Sequence, residues 1–156
     1  MKHFLSLAIV LSSFIFSLNA ISSEQTIEEK ALLTPIMSLF DAMRDHDKNK
    51  ILAQFTEEAM LQRVTKNNEI KQTKINDFAS SVGESKNKLD EQLFNISYNV
   101  EGNLASVWTP FVFYLNGKIS HCGINSFQLI KQGEQWKIHY LIDNAFQGDC
   151  LKFSKN

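Results

Sequence analysis

Apolar and β-branched residues dominate three consecutive runs between Leu104 and Asn144, and two short polar segments separate the runs. Runs of this composition, bounded by short turns, predict β-strands that pair antiparallel. The first separator contains Asn116-Gly117, which suits the two positive φ angles of a type I′ hairpin turn. The second is the loop Lys131–Glu134. The pattern therefore predicts a three-stranded meander in the second half of the chain.

A three-and-four spacing of apolar residues predicts a long first helix that ends near Asp45. The spaced residues are Leu32, Ile36, Leu39, Phe40 and Met43. A capping box at Thr26–Glu29 is expected to begin this helix. Pro35 leaves two alternatives open. It either kinks one long helix, or Thr34 caps a second helix with Pro35 at its first position.

The pattern between the first helix and the meander predicts four further elements. A short helix starts at Asp47 or Asn49, and a strand over Met60–Val64 turns at Lys66–Asn68 into Glu69–Gln72. A third helix follows, with Ile75, Phe78, Ala79 and Val82 on one face and Gly83 as its C-cap. Glu84–Asp90 is polar and is expected to be a loop. Strict alternation over Phe94–Val100 predicts one strand leading into the meander.

Residues 1–20 have the pattern of a secretory signal peptide. Lys2 supplies a positive start, Phe4–Phe16 is apolar apart from serines, and Leu18–Ala20 ends on a small residue. This apolar run is shorter than the roughly 20 residues that a membrane span needs, which favours cleavage over an uncleaved anchor. We expect residues 21–156 to form a single domain, periplasmic or secreted, with no membrane attachment after cleavage. The compact leader suits a bacterial periplasm.

Charge and motifs exclude several classes of function. The chain has 16 basic and 17 acidic residues, and loss of Lys2 with the leader leaves a net charge of −2. This balance lacks the basic footprint of a nucleic-acid-binding protein. The lysines between Lys66 and Lys88 lie among acids and asparagines, as on a solvated face. No Cys-x-x-Cys, His-x-x-x-His or Gly-rich phosphate loop is present, so no metal site or cofactor is predicted.

The order helix, helix, hairpin, helix, meander resembles the nuclear-transport-factor-2-like fold, also called SnoaL-like. Among the branches of that superfamily, the chain is most similar to the one named for lumazine binding. The supporting residues in the first half are Leu39–Met43, Asp47, Leu52, Phe55 and Ala59. Those in the second half are Ala105, Val107-Trp108, Pro110, Phe113-Tyr114, Gly117-Lys118, Ser120–Gly123, Phe127–Leu129 and Trp136–Ile138.

The resemblance covers nearly all of the mature chain and implies an α+β fold. In this cone-shaped fold, N-terminal helices pack on a curved, mostly antiparallel sheet and enclose a pocket. The same fold hosts isomerases, dehydratases, cyclases and binding modules, so it does not determine a reaction.

Turn geometry gives a register for the meander, and the register assigns the sheet faces. A two-residue turn at Asn116-Gly117 pairs Val112 with His121 and Trp108 with Asn125, while a four-residue second loop pairs Asn125 with Tyr140. One face then holds Trp108, Val112, Tyr114, His121, Asn125, Phe127, Trp136, Ile138 and Tyr140. The other holds Val107, Phe111, Phe113, Cys122, Ile124 and Asp143. Because the first face mixes aromatic and isolated polar residues, we expect it to line the pocket.

Four residues of this face are predicted to contact a ligand: Trp108, His121, Asn125 and Tyr140. The predicted function is binding of a small apolar or carbonyl-bearing ligand by an exported protein. An alternative is a SnoaL-like isomerase, dehydratase or cyclase with His121 as general base and Tyr140 as hydrogen-bond donor. Another interpretation makes His121 a core residue in a non-catalytic protein-interaction module. No carboxylate joins this face, so the acid–base trio of the family's steroid isomerases does not transfer.

Cys122 and Cys150 are the only cysteines, and an exported protein reaches an oxidising compartment. We therefore predict a disulfide between them; two buried free thiols are the alternative.

A homodimer is predicted through the second sheet face, where an apolar patch exceeds what monomers usually expose. Its residues are Phe94, Ile96, Tyr98, Val107, Phe111 and Phe113. The competing interpretation is that the two faces are swapped and helices cover this one.

Overall fold

Helices lie against one face of a seven-stranded sheet in this computed structural model, which describes residues 16–146 and 148–153. Most of the predicted signal peptide lies outside the described residues. Within the described part, no helix is long and apolar enough to cross a membrane. The predicted α+β fold, with N-terminal helices on a mostly antiparallel sheet, is confirmed.

The first helix, α1, runs without interruption from Phe16 to Arg44. Pro35 lies inside it, and the Thr34 hydroxyl donates to the Lys30 carbonyl at 2.7 Å, one turn earlier. Thr34 therefore does not cap a second helix. The capping box predicted at Thr26 is also wrong, because the helix already continues through that position.

Four elements follow α1 in the predicted order. Helix α2 covers Lys48–Leu52, and the Asp47 carboxylate caps it by accepting from the Lys50 amide at 2.9 Å. Strands β1 (Phe55–Val64) and β2 (Ile70–Thr73) form a hairpin, and helix α3 covers Ile75–Gly83. However, β1 begins at Phe55, five residues before the predicted start, and Glu84 and not Gly83 is the C-cap of α3.

The chain between α3 and the meander departs from the prediction. Strand β3 (Leu89–Leu93) begins where a loop was expected, and strand β4 covers Ser97–Glu101. Asn95, at φ 44°, separates the two strands, so the single strand predicted over Phe94–Val100 is wrong. Arg44 helps to anchor β3, because its Nη1 lies 3.0 Å from Asp90 Oδ1 and donates to the Glu91 carbonyl. These long-range contacts stabilise a strand of low apolar content.

The meander consists of β5 (Leu104–Leu115), β6 (Lys118–Gln132) and β7 (Gln135–Phe146). The strand order is β2-β1-β7-β6-β5-β3, with β4 also beside β5, and the β1–β7 pair is parallel. Asn116 and Gly117 have φ angles of 53° and 78°, as the predicted type I′ turn requires.

Two irregularities change the register that the turns predict. The first lies between the pairs Tyr114–Ile119 and Phe113–His121, and the second between Gln128–Tyr140 and Leu129–Ile138. The predicted pairs Val112–His121 and Trp108–Asn125 are therefore wrong. The pair Asn125–Tyr140 is also wrong, because the second turn has two residues and not four, and Asn125 pairs with Asp143. At each irregularity one strand has an extra, unpaired residue. Beyond it, each side chain shares a sheet face with a different set of partners from the set that the turns predict.

The helix-covered face, here called the inner face, contains Val107 and Phe111, both fully buried. Phe127 from β6 meets Phe40 of α1 edge-to-face, with ring centroids 6.4 Å apart. The predicted dimer patch is wrong at Val107 and Phe111, because both are fully buried, and Val107 packs in the core with residues of the helices. The swapped-face interpretation holds for these residues.

The opposite, outer face carries the disulfide, which is confirmed between Cys122 and Cys150 with their Cα atoms 5.6 Å apart. The bridge fixes the C-terminal 3-10 helix Cys150–Phe153 against Val112 of β5, in a small apolar cluster separate from the main core.

Replacing both cysteines by alanine should lower the free energy of unfolding by about 3–4 kcal/mol, since the bridge closes a 28-residue separation. Urea unfolding of the oxidised wild type and of the double variant measures this difference. Reduced wild-type protein is the matched control and should resemble the variant. Equal midpoints for oxidised and reduced protein would contradict a stabilising bridge.

Candidate functional site

A cavity of about 360 Å³ lies between the helices and the inner face of the sheet. Its wall is mainly apolar, with Leu39, Phe40, Met43, Leu61, Phe78, Val82, Leu89, Phe113 and Leu141. Polar and charged residues also line it: Gln62, Arg63, Lys71, Thr73, Glu91, His121, Asn125 and Asp143. An apolar enclosure with few convergent polar groups is typical of small-molecule sites.

Strand pairing places the polar residues side by side. Asn125 of β6 lies opposite Asp143 of β7, which in turn pairs with Arg63 of β1. On the other side, Glu91 of β3 pairs with Phe113 of β5, which pairs with His121 of β6. Paired residues share a sheet face, so two rows crossing the sheet bring these groups to one end of the cavity.

Arg63 and Asp143 form a bidentate ion pair. Arg63 Nε lies 2.8 Å from Asp143 Oδ1, and its Nη2 also donates to Oδ2. The Asp143 side chain is only 10% exposed, whereas that of Arg63 is 47% exposed. The Asp143 carboxylate raises the pKa of the Arg63 guanidinium, and the two groups largely satisfy each other's hydrogen bonds.

Glu91 has no such partner among the ion pairs of the described residues. Its Oε1 accepts a 2.8 Å hydrogen bond from Asn125 Nδ2. Residue Glu91 keeps partial solvent access, but its carboxyl group is enclosed, and this burial raises its pKa to about 7. The Asn125 bond opposes the rise and the Asp143 charge adds to it. Glu91 therefore changes charge near neutral pH.

His121 lies between two aromatic rings. Its centroid is 5.0 Å from that of Phe113 and 5.8 Å from that of Phe111. Burial and the nearby Arg63 charge lower its pKa below the ordinary value, so the ring is neutral at pH 7. Ser120 Oγ lies 3.2 Å from Nδ1, and a hydroxyl that donates there leaves the proton on Nε2.

Gly123 lies between His121 and Asn125 on β6, where the chains approach closely. A Cβ at this position would lie 1.9 Å from the Asn144 carbonyl oxygen. Only glycine fits, so β7 can approach β6 closely beside the two polar residues.

The structure brings together two of the four predicted ligand contacts, His121 and Asn125. Trp108 is on the outer face and 53% exposed. Tyr140 is also on that face, where its hydroxyl donates to Gln62 Oε1 at 2.7 Å. The prediction that Asp143 lies away from His121 is wrong, because the second irregularity turns Asp143 inward.

The sequence interpretation missed Glu91, Arg63 and Asp143 as cavity residues. Asp143 would have followed from the correct register. Glu91 lies in a polar stretch that gave no strand pattern, so no local signal identified it. Within residues 16–146 and 148–153, no cluster of His, Cys, Asp and Glu has the makings of a metal site.

Solved structures resemble this fold at low sequence identity. Rv3472, a protein of unknown function from Mycobacterium tuberculosis, is 19% identical with a TM-score of 0.69, covering 86% of this chain and 80% of that one. An NTF2-like protein of unknown function from Shewanella baltica is 13% identical, with a TM-score of 0.61 and coverages of 79% and 97%. The chain has the nuclear-transport-factor-2-like fold.

A candidate scytalone dehydratase from Novosphingobium aromaticivorans shares this fold at 12% identity, with a TM-score of 0.67 and coverages of 81% and 89%. No family model and no curated protein matches the sequence. At these identities the likeness concerns the nuclear-transport-factor-2-like fold and not the reaction.

The raised pKa of Glu91 predicts a pH-dependent stability. Between its ordinary 4.5 and about 7, the folded state binds more protons at Glu91 than the unfolded state does. The free energy of unfolding should therefore fall as pH rises through this interval, by up to about 3 kcal/mol. Glu91→Gln lacks this titration, so it should gain stability relative to wild type between about pH 5 and about pH 8. Urea unfolding at both pH values measures the gain, and parallel curves would contradict it.

Proposed function

We propose that this chain is an exported small-molecule-binding protein that holds a small, largely apolar ligand in the cavity. The observation that carries the proposal is a largely apolar cavity of about 360 Å³ with Glu91, Asn125 and His121 grouped in its wall. The volume lies in the range of small-molecule sites, and grouped polar atoms would orient a ligand by one polar end.

The neutral His121 ring supports the sequence-based expectation of a carbonyl-bearing ligand. An imidazole that holds its proton on Nε2 can donate to a carbonyl oxygen. A protonated Glu91 carboxyl can donate in the same way. The branch named for lumazine binding also implies a flat ligand, and that assignment remains a prediction from the sequence.

An acid–base enzyme is the second candidate, and Glu91 is the observation that favours it. Buried carboxyls with raised pKa values recur at catalytic sites. However, no hydrogen bond between His121 and a carboxylate occurs within the described residues, and Tyr140 points away from the cavity. An isomerase or dehydratase would have to use His121 and Glu91 without Tyr140. Catalytic turnover of a bound compound would distinguish the enzyme from the binder.

The third candidate, a protein-interaction module with a filled interior, lacks support from the inner face. A packed interior would leave no cavity beside His121, whereas this one is open and partly polar.

Export is part of the proposal, with the mature protein in the periplasm or secreted. The Cys122–Cys150 bridge supports it, because stable disulfides are typical of oxidising compartments. The mass of the mature protein from its host would identify the cleavage site.

The homodimer is also proposed, now through the outer face. Apolar side chains exposed on that face are Met60, Leu104, Trp108 and Ile119. They replace the interface residues Val107 and Phe111, which belong to the core.

Native mass spectrometry of protein purified from its own host should show a retained small molecule that denaturation releases. His121→Ala should reduce ligand-induced thermal shifts across a metabolite panel, because the ring lines the cavity. His139→Ala is the matched control, since His139 bonds to Thr56 and does not line the cavity. If no ligand is retained and His121→Ala leaves every shift unchanged, the cavity is not the binding site.

Trp108→Glu should convert a dimer into a folded monomer, because it places a charge in the exposed outer patch. Light scattering measures the mass and circular dichroism checks the fold. Phe111→Glu is the contrast, because it buries a charge in the core and should unfold the protein. A wild-type monomer at high protein concentration would disprove the dimer.

A further inference from the structure

Glu91 is a cavity carboxyl group without a cationic partner. The ion pairs of the described residues engage Arg44, Lys50 and Arg63, and none includes Glu91. Arg63, a half-exposed cation of this wall, acts on Glu91 only through its charge, because Asp143 occupies its guanidinium through a bidentate contact. An enclosed carboxylate without a cation is costly, and a ligand can supply the missing charge.

The same wall presents two hydrogen-bond acceptors, one on Asn125 and one on Glu91. Its Nδ2 donates to Glu91 Oε1, so its own Oδ1 points elsewhere. Within the described residues, neither Asn125 Oδ1 nor Glu91 Oε2 accepts a hydrogen bond. Every fully buried side-chain N or O atom of these residues has a partner, so an oxygen without one is not fully buried. These two oxygens are therefore open to the cavity. An ammonium group has three donors and no acceptor, which matches such a pair.

The remaining wall also suits an organic cation. The rings of Phe40, Phe78 and Phe113 line the cavity, and aromatic faces attract cations in desolvated sites. His121 is neutral and adds no opposing charge. Lys71 is the opposing cation on the wall, but it is solvent-exposed on the hairpin strand β2, where water and salt screen its charge.

We propose that the cavity selects small apolar amines, with the ligand ammonium bound by Glu91 and Asn125 and its hydrocarbon part against the phenylalanines. This inference rests on the proposed binding function and makes an ammonium group, and not a carbonyl alone, the polar end that the site selects. On binding to protonated Glu91, the carboxyl O–H bond breaks, the proton passes to buffer, and the resulting carboxylate pairs with the ammonium.

Four probes with one phenyl group and different polar ends test the proposal: phenethylamine, phenethyl alcohol, phenylacetate and benzyl methyl ketone. Isothermal titration calorimetry should show phenethylamine binding about tenfold or more tightly than the other three. The expected ratio follows from the greater strength of hydrogen bonds between charged groups. The same titrations in buffers of different ionisation enthalpy should show proton release below neutral pH.

Glu91→Gln should remove both the preference for the amine and the proton release, while the alcohol binds as before. Glu58→Gln is the matched control, because it removes an exposed carboxylate of β1 that does not line the cavity. Circular dichroism confirms that each variant is folded. Should Glu91→Gln fail to fold, Asn125→Asp provides a second variant; by adding a carboxylate it should tighten amine binding.

Equal or tighter binding of the ketone or alcohol would overturn the amine proposal and leave the binding function standing. Amine affinity that survives Glu91→Gln would do the same. Preferential binding of phenylacetate would indicate that Lys71 binds the ligand's carboxylate, and it would also overturn the amine proposal. All four probes are small enough for the cavity. If none of them binds, the inference and the proposed function both fail.

Discussion

Side-chain alternation across β5, β6 and β7 determines which residues can reach the cavity. A strand presents every second residue to each face, so the pairing register decides the chemistry of the inner face. In this chain the two irregularities, near Ser120 and near His139, place His121, Asn125 and Asp143 on the same face. Without the second irregularity, Asp143 would point to the outer face and Arg63 would lose its partner.

The two carboxyl groups of the cavity, those of Asp143 and Glu91, have different hydrogen-bonding partners. Asp143 meets a guanidinium that offers two parallel donors, an arrangement that keeps a carboxylate charged in a buried place. The Glu91 carboxyl accepts one hydrogen bond, from an amide, and feels the Arg63 charge without pairing with it; together these do not offset the loss of water around a charge. The result is one carboxylate that is paired with a guanidinium and one carboxyl group whose charge depends on pH or on a ligand. Neighbouring groups with such different environments commonly have separate functional roles.

Local patterns predicted the elements whose stability is local. The Asn116-Gly117 turn, the Asp47 cap and the apolar face of α3 each depend on residues close in sequence, and the structure has all three. Strand β3 could not be found in this way, because Arg44 and β5 hold it across a long sequence separation.

The candidate site was predictable only in part for the same reason. His121 and Asn125 occupy alternate positions of one strand, so any register that turns one inward turns the other inward as well. Trp108 and Tyr140 lie on β5 and β7, the two strands that flank β6. The sheet face on which each one lies depends on the two irregularities, which no residue pattern marks. Glu91 reaches the site through β3, which the sequence did not reveal. Residues on a single strand were therefore predictable together, whereas residues combined across strands were not.

Strand β6 is constrained from both sides at the point where it carries His121. On the inner side, Phe111 and Phe113 pack against the imidazole ring. On the outer side, the next residue, Cys122, is bonded to Cys150. Gly123, on the same face as His121, allows the close approach of β7. Because alternate residues of one strand are held by opposite faces, a displacement of the C-terminal segment would be transmitted to the His121 backbone. The disulfide thus stabilises the geometry of the cavity without contributing a side chain to it.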